Sequence, residues 1–185
     1  MGPTTERYQK IIINNLLPYR DRIIELINND CYFLVTGNAL EVFGTYIIED
    51  GGNQVSALDI FPFYSKQDLM HRFNSYVLAD YNGYEFVGFK SQFTRVYPTS
   101  DLPIMLNLKR GIGFNKENDP EGIKYHNFYG THCLGPILVM NPLFTRALFS
   151  ALGYSFNKIP LEEDLIEAYN KRVLEFKDEK NINYP

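Results

Sequence analysis

Cysteine is scarce in this 185-residue chain, where Cys31 and Cys133 are the only two. Two thiols do not make the disulfide framework of a small secreted domain. Both sit in apolar runs, so the expectation for each is a buried, reduced side chain. Histidine is nearly as rare. His71, His126 and His132 stand apart from carboxylates and thiols at ligand spacing, which predicts no metal site and calls for no cofactor. Positive charge is not in excess either: 18 Lys and Arg against 22 Asp and Glu give a net charge of −4. Without a basic stripe, nucleic acid is excluded as a partner class. No stretch reaches the roughly 20 apolar residues of a membrane span. The first residues lack the apolar core of a signal peptide, and "MGPTTE" departs from a myristoylation pattern at Glu6. The expected compartment is the cytoplasm. Repeats, low-complexity tracts and internal linkers are missing as well, so residues 1–185 read as one domain.

What is present is an ordinary globular pattern of helices and strands. Residues 6–29 place Ile12, Leu16, Tyr19, Ile23 and Ile27 at helical spacing, with Pro18 interrupting the run. "YFLV" reads as a strand, and "TYIIEDGGNQVSALDIFPFY" as a hairpin with "EDGGN" at its tip. "SKQDLMHRFNSYVL" is expected to be partly helical. "YEFVGF", "FTRVY" and "PIMLNL" are β-rich. A polar loop with four glycines occupies 111–130 before a further aromatic strand. Its glycines are not a phosphate loop, because no Gly-Lys-Ser/Thr follows. Residues 141–153 predict a helix with Asn141 as cap, Pro142 in the first turn and Gly153 at the end. Residues 161–177 predict a last helix that buries Leu161, Leu165, Ala168 and Val173.

The alternation of strands and helices indicates an α/β sandwich. The first strand follows a helix, so opening units of such a sheet are expected to be absent. Between them, "VTGNALEVFG" (35–44) has the form of a tight strand-to-helix turn, the place where many α/β enzymes expose a nucleophile. Thr36 occupies that turn, with Gly37 after it. A turn and capping role is the simpler reading for Thr36.

Two further stretches follow in order: "GFKSQFTRVY" (88–97) and "GIGFNKENDPEGIKYHNFYGTHCLGPILVMNP" (111–142). With the 35–44 turn they resemble the class I glutamine amidotransferase domains of the cobyric acid synthase type. Among these, the nearest likeness is to the glutaminase subunit of lipid II isoglutaminyl synthase. The family pattern is C-G-G-Y-Q-x-L-G, then G-F-E-N-H-x-x-R, a polar loop ending in E-G, a G-T-Y-x-H-G-P strand end and an N-P helix. The likeness covers nearly the whole chain. It implies a three-layer, flavodoxin-like α/β sandwich, here lacking its first strand or strands.

The resemblance also implies a chemistry. In the family a cysteine attacks the glutamine side-chain amide, a histidine activates it, and backbone N–H groups hold the oxyanion. Carried over by position, the cysteine falls on Thr36 and the histidine on Leu134. Gly37 follows the nucleophile position, and Arg95 matches the arginine linked to substrate positioning. Lys90, Ser91 and Gln92 replace the Glu, Asn and His of the middle segment. A threonine without a base is a poor nucleophile, and loss of either member of such a unit removes most of the rate. His132, one pleat before Leu134, is the candidate substitute base, displaced by roughly 6–7 Å along the strand.

Three functions follow as expectations. One is a catalytically degenerate amidotransferase-like subunit that serves a Mur-ligase-like synthetase or holds glutamine or a related small ligand. Another is an active glutaminase with an altered site, supplying ammonia for amidation. The third is a structural module that assembles with itself through an uncovered sheet edge.

Overall fold

The computed structural model describes residues 1–116, 120–155 and 159–178. Helix α1 (Glu6–Leu16) starts at Thr5, whose hydroxyl accepts the Tyr8 N–H at 3.4 Å. Pro18 cannot donate into a helical ladder. A 3-10 turn over Leu17–Tyr19 therefore divides α1 from α2 (Arg20–Asn28), as the sequence predicts. Gln9, Ile13, Ile23 and Ile27 form the buried side of the pair.

Strand β1 (Phe33–Thr36) runs into a 3-10 helix over Gly37–Phe43. The hairpin expected next is present as β2 (Tyr46–Ile48) and β3 (Gln54–Ser56). The segment expected to be partly helical is instead β4 (Phe63–Gln67), a short turn, and β5 (Phe73–Tyr81). Pairing decides this: β5 is matched over nine residues to β6 (Tyr84–Gln92) and bonded on its other side to β8 (Ile104–Arg110). Tertiary pairing of this extent outweighs a short local helical preference. Between them lies β7 (Thr94–Pro98), and β9 (Glu121–Tyr125) and β10 (Phe128–Thr131) follow the polar loop. The helices α3 (Ile137–Met140), α4 (Pro142–Ala151) and α5 (Glu162–Lys177) complete the described residues.

The fold is mixed α/β. One sheet has the order β1-β10-β9-β8-β5-β6 and the other β3-β2-β4-β7. The β1–β10 and β2–β4 pairs are parallel; the other pairs are antiparallel. Phe128 packs on Phe33, Phe43 and Phe61 at ring distances of 4.8–6.0 Å, within a core that also takes Ile13, Ile27 and Val35.

The two edges of the larger sheet differ. On the outer side of β1, Met1 donates its ammonium to the Leu34 carbonyl (2.7 Å) and accepts from the Thr36 N–H (2.9 Å). On β6, the Asn141 amide bonds both the N–H and the carbonyl of Val87, each at 2.8 Å. Asn141 thus closes a strand edge and does not cap α4 with its side chain, contrary to the sequence expectation. Two other expectations are corrected. Cys31 is exposed, while Cys133 is buried. Helix α5 docks through Tyr169, Val173 and Phe176, whereas Leu161 is 72 % exposed. No described helix is long and apolar enough to cross a membrane.

Candidate functional site

The turn after β1 brings distant residues together. Thr36 is extended (φ −127°, ψ 151°), and Gly37 is left-handed (φ 64°). A Cβ on Gly37 would lie 2.7 Å from Pro3 Cβ and 3.0 Å from Leu134 Cδ2, so only glycine fits this turn. Leu134 therefore packs directly against it, held by its N–H on the Phe89 carbonyl at 2.8 Å. Leu134, the position of the expected base, thus lies against Gly37, the residue after the position of the expected nucleophile, Thr36. Thr36 makes no side-chain cap to the following 3-10 helix, so the capping role expected for it is absent.

Two cavities flank the turn. Thr36 lines an apolar one of about 430 Å³ with Met1, Leu34 and Ile137. Gly37, Asn38, Ser91, Gln92, His132 and Leu134 line a more polar one of about 250 Å³, with Glu6 and Arg72 also on its wall. The structure therefore unites His132, Leu134 and Gly37 but puts Thr36 on the other cavity. Arg95 lines neither: its guanidinium lies over the Phe73 ring at 4.7 Å and donates to the Asn115 carbonyl at 3.1 Å. Arg72, stacked on Phe93 at 4.5 Å, is the arginine at the polar cavity.

Behind that cavity lies a buried ionisable cluster. Glu121 accepts from the Thr131 hydroxyl (2.6 Å) and the His132 N–H (2.7 Å), and its Oε1 is 3.3 Å from His132 Nδ1. Lys90, wholly buried, donates to the Gly113 carbonyl at 2.6 Å and stands 3.9 Å from Glu121. Burial works to raise the Glu121 carboxyl, but the Lys90 charge and the bonds from His132 and Thr131 outweigh it and hold it near 2. For His132 burial dominates and holds the ring below its ordinary value, against the bond from Glu121. Glu41 is raised by burial to about 8, against hydrogen bonds from Gln9 and Thr94. Gln9 Nε2 donates to Glu41 Oε2 at 2.9 Å.

Among the described residues three polar atoms here have no hydrogen-bond partner: Glu41 Oε1, Gln92 Oε1 and His132 Nε2. Nε2 faces Glu41 Oε1 at 4.0 Å, beyond a direct hydrogen bond. An ionised Glu121 fixes the hydrogen of the neutral ring on Nδ1, which leaves Nε2 a bare acceptor. Burial also pushes the Cys133 thiol well above its ordinary value, so it is no thiolate. His71 and His126 are surface residues as expected. Each has a carboxylate close by, Asp68 at 2.8 Å and Asp30 at 2.9 Å. No group of three metal-ligating side chains occurs among the described residues.

Sequence reasoning missed Glu41, Glu121 and Arg72. Glu41 sits in "ALEVF", where a single acid reads as the solvated side of a short helix. The burial of Lys90 and Gln92 is signalled by the alternation of β6, which places both on the face of Phe86 and Gly88.

Comparison with known proteins adds a direction. No protein-family model matches the chain. The chain is 26% identical over 165 residues to the lipid II isoglutaminyl synthase (glutamine-hydrolyzing) subunit GatD of Streptococcus pneumoniae (strain ATCC BAA-255 / R6). That alignment covers 85% of this chain and 63% of the relative. The GatD subunit of Staphylococcus aureus (strain N315) is also 26% identical, over 141 residues that cover 76% of this chain and 57% of the relative. The chain is similar to GatD subunits. It spans about three-fifths of the length of these curated relatives.

Proposed function

We propose that this chain is a class I glutamine amidotransferase-like subunit that no longer hydrolyses glutamine. In this reading residues 1–185 are one domain, a flavodoxin-like sandwich of the cobyric acid synthase type. It works in the cytoplasm, without a cofactor, beside a Mur-ligase-like synthetase in amidation of the lipid II type. The likeness to GatD supports the family and the partner class. The observation that carries the loss of hydrolysis is the Leu134 methyl packed against the turn that follows Thr36. An isobutyl group cannot take the proton of a nucleophile, and a hydroxyl needs a base within hydrogen-bond reach.

A specific arrangement favours one alternative, an active site rebuilt on His132. Glu121 orients that ring as a carboxylate orients the histidine of a triad. Against it, Nε2 is wholly buried and faces Glu41, while Thr36 lies on the other cavity. The test is the double variant Thr36→Cys/Leu134→His. Under this proposal the folded double variant gains glutamine-dependent ammonia release over the natural chain. A double variant that stays silent while His132→Ala lowers a measurable activity of the natural chain would favour the rebuilt site.

A further inference from the structure

We propose that Glu41, Gln92 and His132 form a buried binding site for an ammonium group, either free ammonium or the primary-ammonium end of a small amine. This goes beyond the proposed function and does not depend on it.

Glu41 Oε1, Gln92 Oε1 and His132 Nε2 are buried acceptors with no hydrogen-bond partner among the described residues. Unpaired buried polar atoms are costly; Gln92 and His132 share one cavity wall and Glu41 Oε1 stands 4.0 Å from His132 Nε2, so together they suit a ligand rich in donors. Gln92 and His132 reach the wall of the 250 Å³ cavity, which Thr94 also lines. Gln92 spends its Nε2 on the Thr94 carbonyl at 2.5 Å, so its oxygen is the atom left over. An ammonium group has hydrogens for all three.

Spacing and charge narrow the class. Acceptors around a nitrogen at about 2.9 Å stand roughly 4–5 Å apart. Ligands of a small transition metal at about 2.1 Å stand nearer 3.4 Å. Glu41 Oε1 and His132 Nε2 are 4.0 Å apart. The buried cation Lys90 is already matched: it faces Glu121 at 3.9 Å, and its Nζ also meets the carbonyls of Ile112 and Gly113, while Glu6 and Arg72 stand on the cavity wall. Among the described residues Glu41 has no lysine or arginine ion pair, and Gln9 Nε2 donates to its Oε2. Held protonated by burial, it can release its proton as the ammonium enters. The exchange leaves the buried net charge unchanged, which removes the main objection to a cation near Lys90.

The experiment is a titration of the purified natural chain with ammonium, methylammonium, tetramethylammonium, potassium and sodium chlorides at equal ionic strength. Thermal unfolding and calorimetry are the readouts. The expected result is saturable stabilisation and proton release with ammonium or methylammonium, and no response to tetramethylammonium or potassium above that to sodium. Ammonium alone would assign the free ion, and a stronger methylammonium response would assign an amine ligand. Glu41→Gln and, separately, Gln92→Leu should each weaken binding about tenfold or more. Equal responses to ammonium and sodium would overturn the proposal. So would a matching potassium response, or binding unchanged in whichever of the two variants folds.

Discussion

Glu41 shows how one side chain sets a measurable property of the fold. Its carboxyl is raised by burial from 4.5 to about 8. Between those values the unfolded chain gives up the proton and the folded chain keeps it. The contribution is therefore present in full below about 4.5 and is lost as pH rises towards about 8. Urea unfolding in sodium buffers should show stability falling across that window, with the slope reduced in Glu41→Gln. Slopes that coincide would mean that Glu41 titrates normally. Residue by residue, the sequence makes Thr36, Leu134 and Gly37 legible, because a turn and a strand end carry local patterns. It does not make Glu41 or Glu121 legible. Their roles come from which carboxylate receives a countercharge, and Lys90 reaches Glu121 only after β6 and β9 are placed.

At the scale of elements, the sheet edges carry the clearest consequence. Asn141 gives Val87 the two bonds that a neighbouring strand would give, and it also donates to the Ile137 carbonyl at 2.9 Å. Asn141→Ala removes all three and leaves the Val87 N–H buried without a partner, a loss of about 2–4 kcal/mol. It also bares a strand edge, so the variant should self-associate more than the natural chain in sedimentation. Equal stability and equal sedimentation would refute this role. The sequence reads Asn141 as a cap because Pro142 follows it, and that local signal is sound. The competing partner lies far away along the chain, where no local pattern reports it. The same limit explains the segment 65–78, whose strands exist because β6 and β8 bracket β5. By contrast α1, the Pro18 break, β1 and the β2–β3 hairpin were readable, since each is specified within its own residues.

For the whole molecule, the mixed α/β organisation and the likeness to GatD subunits point the same way. The 134 region approaches the turn after β1, with the Leu134 methyl against Gly37. Buried ionisable side chains gather nearby, at Glu41, Lys90, Glu121 and His132. The most direct test of this account is ammonia release from glutamine by the purified chain, once a cooperative melt has shown that it is folded. The account predicts release no greater than that of Thr36→Ala under the same conditions. Release clearly above that variant would contradict it and make Thr36 a working nucleophile.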